Sequence, residues 1–482
     1  MRYKRQCMFG GKGESRILVK ILRKRWIFCR ALALAAIYAA CMTASPDLGG
    51  ETLAVICRAA ASPALTDARQ TAAYWLERHP EGERLLLDEK GIAALNEEMR
   101  RKTRTLTDLL AAPAVYSGDE VRHRISAVQA IGDFATGAVP ELYVGGAVLT
   151  QAAYEAAREN CAPTAVPERV SVRYGVVVRR ADMRLLPVAD GWFATPSDVH
   201  YDALQATAVD PAEPALVLTG SADGRFFFCI LRHYSGWLAA EALAFTDRVT
   251  WEQYAAPADF AVVTAPALTL QAARAQRYQM GARIPLSNEG MLLLPVRTTA
   301  GQLQVCPRPA SFGGDMHHGY LPCTENQFVR QGFRFLGAPY GWGGLEGSVD
   351  CSAFTGDVYR SMGIELPRDA DIQGEVLPYR ADLEGSAEDR CALLCRFPVG
   401  TLLTTPTHVL MYLGTDDAGV PCVLQAMSSY FTFDGGARQK HYLRRVIAST
   451  VLFPSFAGTP YIESVQSFGC LLFSSPSPRE CS

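Results

Sequence analysis

The chain has no surplus of charge: 47 Lys and Arg face 49 Asp and Glu across 482 residues, a formal net charge of −2. That balance builds no basic field for nucleic acid or another polyanion, so neither is expected as a partner. No apolar run is long enough to favour a spanning helix, and no clean repeat marks a repetitive architecture. Metal-ligand spacing is missing too. Cys391 and Cys395 form a lone pair in "RCALLCR", and His317, His318 and Cys323 have no acidic or second paired ligand nearby. No metal or cofactor is expected. Cysteines are plentiful, 14 in all, yet scattered without the regular spacing of a disulfide-stapled scaffold.

What is present is organised in blocks. At a soft prior of ~150 residues per domain, the length suggests three or four domains. Residues 1–30 are strongly basic, with Glu14 the lone acid, and "ALALAAIYAAC" follows at 31–41. A basic stretch, a short apolar run and small residues before a cut are the marks of an export signal. Small residues before Cys41 resemble a bacterial lipoprotein signal, with Cys41 as the lipidated first residue and membrane attachment through it. Tyr38 fits that pattern poorly, which leaves cleavage near Ala44 open. The expectation is a protein of the cell envelope, exported, periplasmic or membrane-anchored.

Residues 45–165 follow with helical spacing, broken at Pro80 and Gly82. From about 166 the texture changes to short β-branched and aromatic runs, with Asp223-Gly224 and Ser235-Gly236 as turn signals. Short strands at such spacing predict one small barrel over 166–252 and another over 253–318. A further change near 319 opens an α+β segment to 457: a helix from the Thr324…Gln327 capping box to Gly337, a helix over "CSAFTGDVYRSMG", then alternating strands. Residues 458–482, rich in Ser and Pro, read as a loosely held tail.

One stretch carries chemistry. "YGWGGLEGSVDCSAF", residues 340–354, surrounds Cys351 with aromatics and glycines, a flexible loop before a helix. Asp350 is a reasonable N-cap, which puts the Cys351 thiol beside unsatisfied backbone N–H groups that stabilise a thiolate. Asp350 opposes this by its charge, so an imidazole partner is required. His408 supplies it, in "PTHVLMYLGTDDAGVPCVLQAMS". If Asp416 and Asp417 form a two-residue loop, Thr415 pairs with Ala418 and His408 lies opposite Gln425, able to orient one ring nitrogen. A one-residue slip would turn Gln425 to the other face. Nucleophile, base and orienting group make a papain-like constellation, defined by roles.

"YGWGGLEGSVDCSAF…GIELPRDADIQ…THVLMYLG" closely resembles the NlpC-type cell-wall peptidases, a papain-like family with Tyr-x-Trp-Gly-Gly, Asp-Cys-Ser, Leu-Pro-Arg and a later His-Val. The upstream texture is similar to the subgroup with a helical segment and two bacterial SH3-like barrels. The implied fold is a multidomain α+β chain whose papain-like domain packs helices on an antiparallel sheet.

The resemblance implies Cys351 as nucleophile and His408 as general base. Gln425 falls at a third position where the family commonly has histidine, with His441 as an alternative. It further implies an oxyanion-stabilising Tyr340, and Trp342 packed beneath the loop. Substrate contacts would come from Asp350 and Ser352 (ammonium and amide), Arg368 (a free glutamate α-carboxylate) and Tyr234 (walling off the amine end).

The implied reaction is hydrolysis of the γ-D-glutamyl–L-diamino acid bond of murein peptides with a free N-terminal L-Ala. Two other readings stay open: an acyltransferase or amidase of the same fold, or a non-catalytic wall-binding protein.

Overall fold

The structure is a computed structural model that describes residues 62–103, 105–434 and 436–472. The expected export signal and Cys41 lie outside the described residues. Among the described residues no helix is long and apolar enough to cross a membrane. The nine described cysteines form no disulfide with one another.

Helices dominate up to residue 160, and each starts where a side chain can accept from a free amide. Thr71, Asp88, Ser117 and Thr150 accept from the third helical N–H of Ala72–Arg78, Glu89–Lys102, Gly118–Ile131 and Gln151–Glu159. Four short strands interrupt them: Tyr143–Val144 and Ala147–Val148 pair with each other, and the other two pair across long sequence distances. Leu85–Leu87 pairs with Cys323–Thr324, and Val115–Ser117 with Arg169–Ser171. Tertiary pairing here overrides the local helical texture.

A seven-stranded antiparallel sheet follows. Its spatial order is Leu243–Thr246, Arg173–Val177, Pro214–Gly220, Phe226–Ile230, Ser235–Ala239, Ala181–Arg184 and Gln205–Val209. Asp223-Gly224 makes a turn as expected, with Gly224 left-handed. Ser235-Gly236 does not; it begins a strand paired to Phe226–Ile230. Residues 260–318 form smaller antiparallel sheets, among them Met291–Arg297 against Leu303–Pro309.

The C-terminal region packs helices on a six-stranded sheet ordered Tyr379–Asp382, Ser467–Cys470, Leu402–Thr404, Val409–Thr415, Pro421–Asp434 and Ala437–Thr450. The supposed tail needs correction. Ser467–Cys470 is a buried interior strand, hydrogen-bonded to both neighbours. Covered on both faces, it shows no alternation that would have identified it.

The helix Glu325–Arg334 uses half of its expected capping box: Thr324 accepts from Gln327 N at 3.2 Å. Behind the nucleophile, Phe354, Val358 and Met362 are fully buried with Phe328, Met411 and Leu424. This apolar contact fixes the helix Cys351–Arg360 on the sheet that bears His408.

Candidate active site

The glycine-rich loop before Cys351 is a docking surface and not a flexible hinge. Gly343 and Gly344 have φ of 56° and 81°, and an added Cβ would meet Gln205 Cγ at 2.5 Å and Ala208 Cβ at 2.7 Å. Only glycine lets this backbone approach the barrel strand so closely. Gln205 Nε2 donates to Gly343 O at 3.0 Å. Trp342 does not pack beneath the loop; it is 40% exposed and donates from Nε1 to Asp202 O at 3.1 Å. The barrel thus sets the position of the nucleophile loop.

Asp350 caps the helix that Cys351 begins, accepting from Ala353 N at 2.9 Å, and also accepts from Gly343 N at 2.9 Å. Arg368 Nη2 reaches the same carboxylate at 2.6 Å, Arg368 Nη1 donates to Ser352 Oγ at 2.7 Å, and Arg368 Nε to Thr207 Oγ1 at 2.8 Å. Ser352 Oγ donates on to Asp350 Oδ1 at 3.3 Å. Burial pushes the Asp350 carboxyl up, but Arg368 and the amides more than offset it and hold it low.

Asp350, Ser352 and Arg368 thus form a bonded clamp, and Ser352, Arg368 and Tyr234 line one cavity beside it. Tyr234 is half-buried near the clamp, its phenol raised by burial and by Asp369.

Cys351 is 7% exposed. Burial, with Asp350 adding, pushes its thiol up to about 12, against the helping N–H of Val409 and the Arg368 charge. Burial also lowers the His408 imidazole, against Gln425 and Asp350. Desolvation thus opposes the thiolate that the helix end favours and biases the imidazole towards its neutral form.

His408 Nε2 lies 2.8 Å from Gln425 Oε1, and Gln425 Nε2 donates to Ser449 Oγ at 2.8 Å. With its amide nitrogen directed at Ser449, the fully buried Gln425 presents oxygen to the ring. That arrangement puts the ring proton on Nε2 and leaves Nδ1 as the base. Thiol and ring make no hydrogen bond to each other here; the sulfur takes its contact from Val409 N–H, next in the chain to His408. Catalytic contacts are commonly loose before substrate binds.

The register behind this contact differs from the expectation. Asp416 N bonds Val420 O, making a longer loop, and Met411 pairs with Leu424. Near the site the strand is displaced by two residues from the expected pairing. An even shift keeps Gln425 on the His408 face, where its long side chain spans the diagonal. His441 is elsewhere: it meets Thr432 Oγ1 at 2.7 Å and stacks on Tyr430.

Tyr340 is buried, and burial with the nearby Cys351 and Asp350 raises its phenol well above the usual range. It stays an O–H donor. Sequence reasoning gave no role to Gln373, which accepts from Thr355 Oγ1 at 2.6 Å and donates to Ser352 O at 2.9 Å. Thr207, Ser449 and Tyr461 were also missed. The Tyr461 ring stands edge-on to His408 at 6.4 Å, in the segment mistaken for a tail.

Comparison with known proteins places this geometry. The sequence model of the NlpC/P60 family matches residues 337–419, and that of the SH3 domain, SH3b1 type, matches 192–239. The gamma-D-glutamyl-L-lysine dipeptidyl-peptidase of Bacillus cereus is 28% identical over 147 residues, 29% of this chain and 43% of the relative. The Bacillus subtilis protein of the same name is 40% identical over 53 residues, 11% of this chain and 18% of the relative. This chain thus spans less than half the length of either curated relative. An NlpC/P60 endopeptidase from Photobacterium damselae subsp. piscicida shares the fold, with a TM-score of 0.70 over 86% of this chain and 99% of that one, at 17% identity. The chain therefore carries an NlpC/P60 domain preceded by an SH3 domain of the SH3b1 type, and shares its fold with the Photobacterium protein.

Proposed function

We propose that this protein is a papain-like endopeptidase that hydrolyses the γ-D-glutamyl–L-diamino acid bond of murein stem peptides, those with a free N-terminal L-Ala. The names of the two Bacillus relatives support the bond type. The observation that carries the reading is the His408 ring held through Nε2 by Gln425, with its bare Nδ1 on the strand beside Cys351. The proposal includes an N-terminal helical segment to about 165 and a second SH3-like barrel over 253–318. It also includes export to the cell envelope, with Cys41 as the lipid attachment point.

A γ-carbonyl seated over Cys351 would be attacked by sulfur while His408 Nδ1 takes the thiol proton. A bond forms between Sγ and the carbonyl carbon, and the oxygen gains the negative charge. Tyr340 O–H and the Cys351 backbone N–H are the donors for that oxygen. His408 then gives its proton to the diamino acid amine as the carbon–nitrogen bond breaks. Water, deprotonated by the same ring, releases the glutamyl product and restores the thiol.

The test is mass spectrometry of products from L-Ala-γ-D-Glu-diamino acid peptides. Wild-type protein should release L-Ala-D-Glu, and Cys351→Ala should release none. Turnover by the alanine variant would remove Cys351 from the mechanism.

A further inference from the structure

Two arginines flank the segment that carries the nucleophile, Arg368 bonded to Asp350 and Arg444 through its backbone to Tyr340, and only the first has its side chain paired. Arg444 sits where the hairpin strand Ala437–Thr450 loses register. Met427 opposes Arg445, but Ser429 opposes Tyr442, so the second strand carries an extra residue. Arg444 itself has φ of 49°. A bulged, left-handed conformation is uncommon for a long side chain and marks a position held for a purpose. Its carbonyl accepts from Tyr340 N at 2.9 Å, and Arg445 bridges Pro339. The bulge is thereby stitched to the segment that opens the nucleophile loop.

The guanidinium lies 5.8 Å from the Tyr201 ring centre and 4.7 Å from that of Tyr442. Tyr201 in turn lies 6.3 Å from Tyr340, the phenol nearest Cys351 in this chain of contacts. Arg444 Nε and the Tyr201 hydroxyl are both buried atoms without a hydrogen-bond partner. Among the described residues no carboxylate pairs with Arg444, whereas Arg368 is bound by Asp350, Ser352 and Thr207. Unused donors in a partly buried site are costly unless something arrives to accept from them. Aromatic faces offset part of that cost for a cation.

We infer that Arg444 and Tyr201 form an anion subsite that receives the free carboxylate of the substrate's acyl-side residue. This rests on the peptidase reading above, in which that group is the α-carboxylate of D-glutamate. A guanidinium and a phenol suit a planar carboxylate. The role expected of Arg368 passes to Arg444.

The test is alkylation of Cys351, read by mass spectrometry, with iodoacetate and iodoacetamide. The two reagents differ in a carboxylate against a carboxamide and require no murein substrate. Arg444→Gln should lower the iodoacetate-to-iodoacetamide rate ratio at Cys351 by about tenfold. Arg444→Lys should retain most of it, Tyr201→Phe should lower it a few-fold, and Arg445→Gln should leave it unchanged. Parallel assays would use the murein peptide and its D-isoglutamine analogue. A ratio unchanged in Arg444→Gln overturns the subsite, whatever the peptide result. A lowered ratio in a protein that cleaves neither peptide supports the subsite and removes the murein assignment instead.

Discussion

The two flanks of Cys351 use polar groups in opposite ways. On the barrel side, Arg368, Asp350, Ser352 and Thr207 bond one another in a continuous network. On the hairpin side, His408 has one nitrogen fixed and one bare, and Arg444 has donors without partners. Saturated polar networks rigidify; unsaturated ones bind and react. The difference separates scaffold from chemistry more reliably than residue type does, since an arginine stands on each side.

The sharpest way to break this contrast is to open the clamp. Arg368→Ala would leave Asp350 buried and unpaired at a helix start, which should cost about 3–5 kcal/mol of stability. Denaturant unfolding measures this. Arg368→Ala with Asp350→Asn should recover part of the loss, since the stranded charge is gone. If Arg368→Ala instead raised KM alone and left stability untouched, the clamp would be a substrate site after all.

A second effect lies behind the same helix, where Asp357 faces a cavity of about 100 Å³ shared with Arg180, Asp210 and Arg360. Burial raises its carboxyl to about 7, Arg360 opposing and Asp210 adding. The folded state therefore holds the proton more tightly than the unfolded chain. Its stabilising contribution is complete below about pH 4 and is lost as pH rises through about 7. Asp357→Asn, which keeps the neutral form, should match wild type near pH 4 and be the more stable protein at pH 8, by at most about 4 kcal/mol. Thermal unfolding across that range checks the sign. A wild-type advantage at pH 8 would mean the ionised pair with Arg360 dominates.

Much of the site was legible because its signals are local. Asp350 before Cys351 is a cap by residue type, and the four-residue spacing from Phe354 to Met362 gives the helix its buried face. His408 and Gln425 were found despite a wrong register, because parity alone decides the face. What escaped depends on distant partners. Thr207 reaches Arg368 across 161 positions, and nothing near either residue announces it. The opposing pull on the thiol escaped too, because a helix start is visible in sequence and desolvation is not. The strand Ser467–Cys470 was lost because burial on both faces removes alternation.

Gln425 gives the smallest and most specific test of the hairpin flank. Its oxygen holds the His408 Nε2 proton and so decides which nitrogen is basic. Gln425→Ala should lower kcat by about 10²-fold, within the range for a misaligned general base, with KM changed by less than about threefold. Gln425→His should restore much of the rate, because an imidazole nitrogen can accept the same proton. Gln425→Glu supplies a readout that packing alone would not move. A carboxylate beside the ring stabilises the imidazolium, so the acid limb of the kcat/KM profile should shift to higher pH. A limb that stays in place, with all three variants equally slow, would mean Gln425 only fills space. The hairpin flank would then be as structural as the barrel flank.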